Sequence, residues 1–177
     1  MRIISGTHRR RPITPPAGFR ARPTTDFAKE NLFNVINNSY EFEDLRVLDL
    51  FSGTGSISYE FASRGAARVV SVEMNPTHHR FIQNTSREMG LLAIEAVCTN
   101  TFVYLRSSCG GVFDIVFADP PYDLENIETL PDAIFSAGIL SDIGMVIVEH
   151  GSTCDFSLHP RFLEVRRYGS VNFSLFE

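Results

Sequence analysis

Strand-like apolar runs alternate with helical stretches along most of this chain, and the runs stop at polar side chains. Residues 45–50 carry Asp49 near their end, and residues 68–72 run into Glu73. Residues 94–98 lead to Thr99 and Asn100, and residues 113–118 lead to Asp119. Residues 145–148 lead to Glu149 and His150. Between them lie stretches of helical period. Ala28, Leu32, Val35 and Ile36 share one face of the first; residues 56–64 form the second, closed by Gly65. Asn75-Pro76 opens a third with Phe81, Ile82, Thr85 and Met89 inward and Gly90 at its end. A short fourth passes through Tyr104 and Leu105, and a fifth is expected over about 124–137. Residues 162–167 and 171–176 read as a closing antiparallel hairpin turning near Gly169. Near-continuous apolar strands alternating with helices imply an α/β fold. Its central sheet is mostly parallel, with helices on both faces. The first helix precedes the first strong strand, so it is expected at the edge or end of that sheet.

In such sheets ligands sit outside the carboxyl ends of the strands. Asp49, Glu73, Asn100 and Asp119 therefore converge on one rim. Phe51-Ser52-Gly53-Thr54-Gly55 follows the first strand, and its two glycines allow a tight turn and close backbone approach. The position where a dinucleotide fingerprint has its third glycine is Ser58. Asp49 would also repel a pyrophosphate, so a ligand with a positive centre fits better. Glu73 can accept from the two hydroxyls of a ribose, and Asn100 can meet an adenine edge. Together these groups describe S-adenosylmethionine. Asp119-Pro120-Pro121-Tyr122 ends its strand abruptly, since neither proline can donate to the ladder. The corner offers a carboxylate, fixed carbonyls and a ring. Taken alone, it reads equally as a strand-ending turn or as a holder for a planar amino group.

The 177 residues suit one domain, and the charge within it is uneven. Net charge is −5, yet residues 1–25 hold Arg2, Arg9, Arg10, Arg11, Arg20 and Arg22 and no acid. An acidic body with an Arg-rich arm suits contact with a polyanion; a solvated tail is the alternative. Residues 2–6 and 12–13 look like two short strands with the Arg9–Arg11 run near their turn, which favours the polyanion surface. No apolar run is long enough for a membrane span, and no hydrophobic core follows the first arginines as in a secretory signal. Cys98, Cys109 and Cys154 form no paired framework, and the five His lack metal-ligand spacing. The expectation is a cytoplasmic protein with no metal and no membrane partner.

Asp-Leu-Phe-Ser-Gly-Thr-Gly at 49–55, Glu73 and Asp-Pro-Pro-Tyr at 119–122 resemble the marks of a class I methyltransferase acting on an exocyclic amine. Arg2-Ile-Ile-Ser-Gly, Arg9-Arg-Arg, Arg22-Pro-Thr-Thr-Asp, Glu30-Asn-Leu-Phe-Asn and Ser63-Arg-Gly-Ala are similar to the RsmD family, bacterial enzymes that methylate guanine N2 in 16S ribosomal RNA. The resemblance spans essentially the whole chain. It implies a Rossmann-like fold with a basic β-hairpin extension over residues 1–23 and a methyltransferase domain over 24–177. It implies catalytic roles for Asp119, Pro120, Pro121 and Tyr122. S-adenosylmethionine would be held by Asp49, Phe51, Gly53, Gly55, Glu73, Met74, Asn100 and Thr101, and RNA by Arg9, Arg10, Arg11, Arg20 and Arg22. The implied partner is 16S rRNA, in the small subunit or an assembly intermediate, met by a monomer. Two departures stand out. Arg9-Arg10-Arg11 replaces an Arg-Gly-Arg, and Phe27-Ala28-Lys29 stands where the family tends to Arg-Val-Arg, which removes an expected basic contact. A DNA adenine-N6 or cytosine-N4 methyltransferase shares the Asp-Pro-Pro-Tyr corner. A nucleotide-binding oxidoreductase or a non-catalytic RNA-binding module shares the general fold.

Overall fold

The computed structural model describes residues 1–19, 24–107, 111–121 and 123–177. The elements follow in the order α1 (Asp26–Asn37), β1 (Arg46–Leu50), α2 (Ser56–Ser63), β2 (Arg68–Glu73), α3 (Pro76–Met89) and β3 (Ile94–Cys98). Then come α4 (Thr101–Ser107), β4 (Phe113–Ala118), α5 (Leu130–Ser136), β5 (Leu140–His150), β6 (Phe162–Tyr168) and β7 (Val171–Phe176). Among the described residues the seven strands form one sheet ordered β3-β2-β1-β4-β5-β7-β6. The first five are parallel, and β7 and β6 close the edge antiparallel. From β1 the chain moves outward to β2 and β3, then returns to lay β4 on the other side. The gap above β1 and β4 is thus the switch point where ligands bind in open α/β sheets.

Alternation along the strands divides the core. Val47, Val69, Ile115, Phe117, Ile147 and Phe173 pack with α1 and α2 through Ala28, Leu32, Phe33, Ile36, Ile57 and Phe61. Leu48, Leu50, Val70, Val116, Val146 and Val148 pack on the other face with Tyr104, Leu105, Leu130 and Ile134 of α4 and α5. The place of α1 agrees with the expectation. It lies toward the expected edge, beside β6, the last strand of the sheet, and it packs on a sheet face there with Ala28, Leu32, Phe33 and Ile36 wholly buried. The fifth helix is shorter than the spacing implies. A 3₁₀ turn (Ile127–Thr129) precedes it, and Pro131 fits only the first turn of a helix, which fixes the start near Leu130. Conversely, β5 is eleven residues long and extends well before the apolar run at 145–148.

The amino-terminal segment turns back on itself as expected, but with a single bridge, Arg2 to Pro12, instead of two strands. Ile3 and Ile13 are buried with Tyr59, Ile82 and Leu91. Gly6 lies at φ 81°, where a Cβ would sit 1.8 Å from the Ser63 carbonyl oxygen, so only glycine fits. Beneath this segment lies Lys29, the only lysine, with no solvent exposure. Its ammonium donates to the Arg2 carbonyl at 2.6 Å and to Ser56 Oγ at 3.2 Å, 3.7 Å from Glu60 Oε2. Glu60, equally buried, accepts from the Ile4 and Ser5 amides at 2.7 and 3.0 Å and from Arg64 Nε at 2.8 Å. Burial pulls the Lys29 pKa down, while Glu60 and then Asp26 oppose that. Lys29 is therefore an internal strut, and replacing a family arginine there removes no surface charge.

Removing Lys29 takes one of two cations from the buried Glu60 carboxylate, leaving it to Arg64 alone. Lys29→Met is expected to cost roughly 3–5 kcal/mol in urea unfolding. Lys29→Met combined with Glu60→Gln is expected to cost less than the two single variants summed. An additive double variant would contradict this.

Candidate active site

The β1–β4–β5 register builds the site. Asp49 pairs with Phe117, and Ala118 pairs with Val148, so Asp119 and Glu149 are the next residues on adjacent parallel strands. Phe117 and Ile147 face α1 and α2, as does Val47. By the two-residue period of a strand, Asp49, Asp119 and Glu149 leave the sheet on that same face. All three, with Glu73, line one cleft of about 460 Å³. No Lys or Arg lines it among the described residues.

Asp49 is 1 % exposed. Its Oδ2 accepts from the Ser58 amide at 3.1 Å and from the Ser58 hydroxyl, which also meets Ser71 Oγ. Ser58 thus explains the missing third glycine: its side chain holds the acid in place. Burial pushes the Asp49 carboxyl up to about 7, with the Glu73 charge adding to the rise and the Ser58 hydrogen bonds opposing it. Asp119 is also raised well above the usual carboxylate range, by burial first and then by the charges of Glu149 and Asp49. Glu149 is 3 % exposed and accepts from the Thr24 hydroxyl at 2.8 Å.

The β1–α2 loop is tied to Glu73. Glu73 Oε2 accepts from the Gly53 amide at 2.8 Å and Oε1 from the Asn75 amide at 2.7 Å. Each oxygen keeps a lone pair that a ribose hydroxyl can use. Gly55 starts α2 at φ 78°, where a Cβ would lie 2.8 Å from the Tyr59 ring. Phe51 holds a left-handed φ of 59°, a conformation non-glycine residues seldom adopt outside constrained sites. Its ring meets Phe102 edge-on at 6.4 Å.

Of the sequence-derived residues, Asp49, Phe51, Gly53, Glu73, Met74, Thr101, Asp119, Pro120 and Pro121 line the cleft. Gly55 shapes its wall without lining it. Asn100 is exposed and absent from the lining. Its Oδ1 caps α4 through the Phe102 and Val103 amides at 2.9 and 3.3 Å, leaving only its amide NH₂ for an adenine. The Asp119 amide extends the ladder to the Leu50 carbonyl at 3.3 Å, where the prolines end it. The Pro121 carbonyl accepts from the Leu124 amide at 2.9 Å. Tyr122, Arg20 and Arg22 lie outside the described residues. Glu149, Thr24, Thr25, His78 and Val171 also line the cleft and were not among the sequence candidates. Glu149 carried a signal, a carboxylate at a strand end, but its place beside Asp119 needs the strand order.

Arg9, Arg10 and Arg11 are exposed. Their turn docks at the carboxyl end of α2. The Thr7 amide donates to the Ser63 carbonyl at 2.8 Å, and His8 Nε2 donates to the Met89 carbonyl at 2.8 Å. Since α2 runs back from the cleft, these arginines stand a helix length from it, roughly 12 Å at 1.5 Å per residue.

A switch-point cleft with acids from three adjacent strands, a glycine loop clamped by a strand-end Glu and an Asp-Pro-Pro corner defines a class I methyltransferase. Four carboxylates face the space and, among the described residues, no Lys or Arg does, so the donor set fits a cationic, ribose-bearing cofactor. The family model described as Conserved hypothetical protein 95 matches residues 1–177. YlbH of Bacillus subtilis is 30% identical over 153 residues, covering 85% of this chain and 82% of that protein. Ribosomal RNA small subunit methyltransferase D of Escherichia coli K12 is 30% identical over 149 residues, covering 84% and 74%. Among solved structures, a hypothetical protein of Thermus thermophilus superposes with a TM-score of 0.88 at 28% identity, covering 100% of this chain and 99% of that one. The yhhF protein of Escherichia coli gives 0.86 at 25%, covering 99% and 96%. This chain belongs to the RsmD family of methyltransferases, and S-adenosylmethionine is its cofactor.

A cation entering the cleft favours ionised carboxyls, so binding must release protons from groups whose pKa is raised in the free protein. Asp49, at about 7, is mostly ionised only above that value. Affinity for S-adenosylmethionine is therefore expected to rise from pH 6 to pH 8, with proton release seen by calorimetry in buffers of different ionisation enthalpy. Asp49→Asn should flatten the profile; a flat wild-type profile would contradict the assignment.

Proposed function

We propose that this chain methylates the exocyclic N2 of a guanine in 16S rRNA. The observation that carries the proposal is that Asp119 and Pro120, at the end of β4, line the same cleft as Asp49, Glu73 and the β1–α2 loop, where the cofactor fits. When bound, S-adenosylmethionine supplies a methyl group already activated on a sulfonium. The difficulty lies in the acceptor, whose nitrogen lone pair is delocalised into the base. Two acceptors on the amino hydrogens turn that lone pair toward the methyl, so positioning and preorganised electrostatics supply the rate. Methylated, the nitrogen sheds a proton, for which the adjacent Asp119 carboxylate is the acceptor. Guanine presents N1–H and N2–H in the same direction, which suits a carboxylate. A guanine within folded RNA must be splayed out to enter.

The choice of guanine is supported by the amino-terminal resemblance to the RsmD family, and that of RNA also by the name of the Escherichia coli relative, Ribosomal RNA small subunit methyltransferase D. Arg9, Arg10 and Arg11 would hold phosphates a few nucleotides from the target, consistent with their place at the far end of α2.

Labelled S-adenosylmethionine with naked 16S rRNA, small subunits or DNA tests the proposal. The expected product after digestion is N2-methylguanosine; N6-methyladenosine, or label in DNA alone, would overturn it. Asp119→Ala is expected to lower turnover about 10²–10³-fold, the scale for losing one preorganised polar contact, while cofactor binding persists. Loss of cofactor binding with an intact fold would instead place Asp119 in the cofactor site. Replacing Arg9, Arg10 and Arg11 with Ala should reduce the slope of log affinity against log salt by about 2, at roughly 0.7–0.9 per phosphate contact. An unchanged slope would show that the turn does not touch RNA.

A further inference from the structure

Phe27 is 65 % exposed, unlike the Phe residues that fill the cores. It stands in the first turn of α1, two residues after Thr25, which lines the cleft. The inward face of α1 belongs to Ala28, Leu32, Phe33 and Ile36, so Phe27 adds nothing to that packing. Its ring meets Tyr168 edge-on, with centroids 6.2 Å apart and planes at 84°. Tyr168 ends β6 and pairs with Val171, another cleft-lining residue. Tyr168 is in turn braced by Phe173 at 6.0 Å. The strand order decides which part of the cleft this pair borders. Glu73 and Thr101 come from β2 and the start of α4, on one side of β1. Asp119, Glu149 and Val171 come from β4, β5 and β7, on the other. Phe27 and Tyr168 lie beyond β7, on the acceptor side and away from the cofactor groups.

We propose that Phe27, backed by Tyr168, is a stacking ledge for a nucleobase next to the methylated guanine. The proposal rests on the RNA reading above and deepens it. A splayed-out guanine leaves its neighbours with an unstacked face, and an exposed aromatic ring offers a sequence-tolerant replacement. Held edge-on by Tyr168, the Phe27 ring is fixed before RNA arrives, so less freedom is lost on binding. The ledge and the Arg9–Arg11 turn would then grip different parts of the strand, one by stacking and one by charge.

The test uses a 16S rRNA fragment that the wild type methylates, made intact and with an abasic nucleotide at each position flanking the target. Phe27→Ala is expected to raise KM for intact RNA roughly 5- to 100-fold, the range for one base–aromatic stack, with the cofactor Kd unchanged. Phe27→Tyr, which keeps the ring, is expected to stay within about twofold of wild type. One abasic position should impose the same loss on the wild type and no further loss on Phe27→Ala. Since Phe27 is exposed, matching thermal melts will show that the variant is folded. An unchanged KM, or losses that multiply, would overturn the ledge while leaving the RNA reading intact. An unchanged KM together with a dimer lost in Phe27→Ala would overturn it in favour of self-association. No methylation of any RNA by the wild type would overturn both.

Discussion

Desolvation of several carboxylates on one face of a parallel sheet is the constraint on which the site depends. Parallel register places Asp49, Asp119 and Glu149 on three neighbouring strands with their side chains on one side. Burial and mutual repulsion then hold Asp49 and Asp119 above their ordinary range. Such an arrangement is unfavourable for a fold by itself, since buried like charges resist ionisation. It becomes useful when the ligand brings positive charge, as a sulfonium and an amino-acid ammonium do. The supporting contacts spread outward from there. Ser58 fixes Asp49, Glu73 clamps the loop above it, and Thr24 ties Glu149 to the chain that leads into α1.

A second buried network has a purely structural part. Lys29, Glu60 and Arg64 join α1, α2 and the amino-terminal turn. Through them the segment bearing Arg9–Arg11 is anchored to the same helix whose amino end frames the cleft. The position of that basic turn relative to the cleft is thus set by packing.

Much of this is legible in the sequence because strand ends announce themselves. Asp-Pro-Pro after an apolar run can only terminate a strand, and Gly53 with Gly55 can only be a tight loop. What resists reading depends on register and packing. Glu149 looks like an ordinary strand end until β5 is known to lie beside β4. Ser58 counts as a defect in a glycine pattern until its hydroxyl is seen on Asp49. Asn100 has the right chemistry for an adenine, but its carbonyl is engaged in capping α4. Lys29 looks like a surface cation because nothing local betrays its burial. Phe27 is turned outward by its helical phase against Ala28 and Leu32.

Burial and neighbouring charge raise the Asp49 and Asp119 carboxyls in the free cleft, and a cationic cofactor favours their ionised form. Carbon-13 NMR of side-chain carboxyls, titrated with and without S-adenosylmethionine, reads this state. The expected spectrum has a carboxyl titrating at about 7 in the free protein, lost in Asp49→Asn and moved to lower pH when the cofactor binds. Carboxyls that all titrate in the ordinary acid range in the free protein would contradict it.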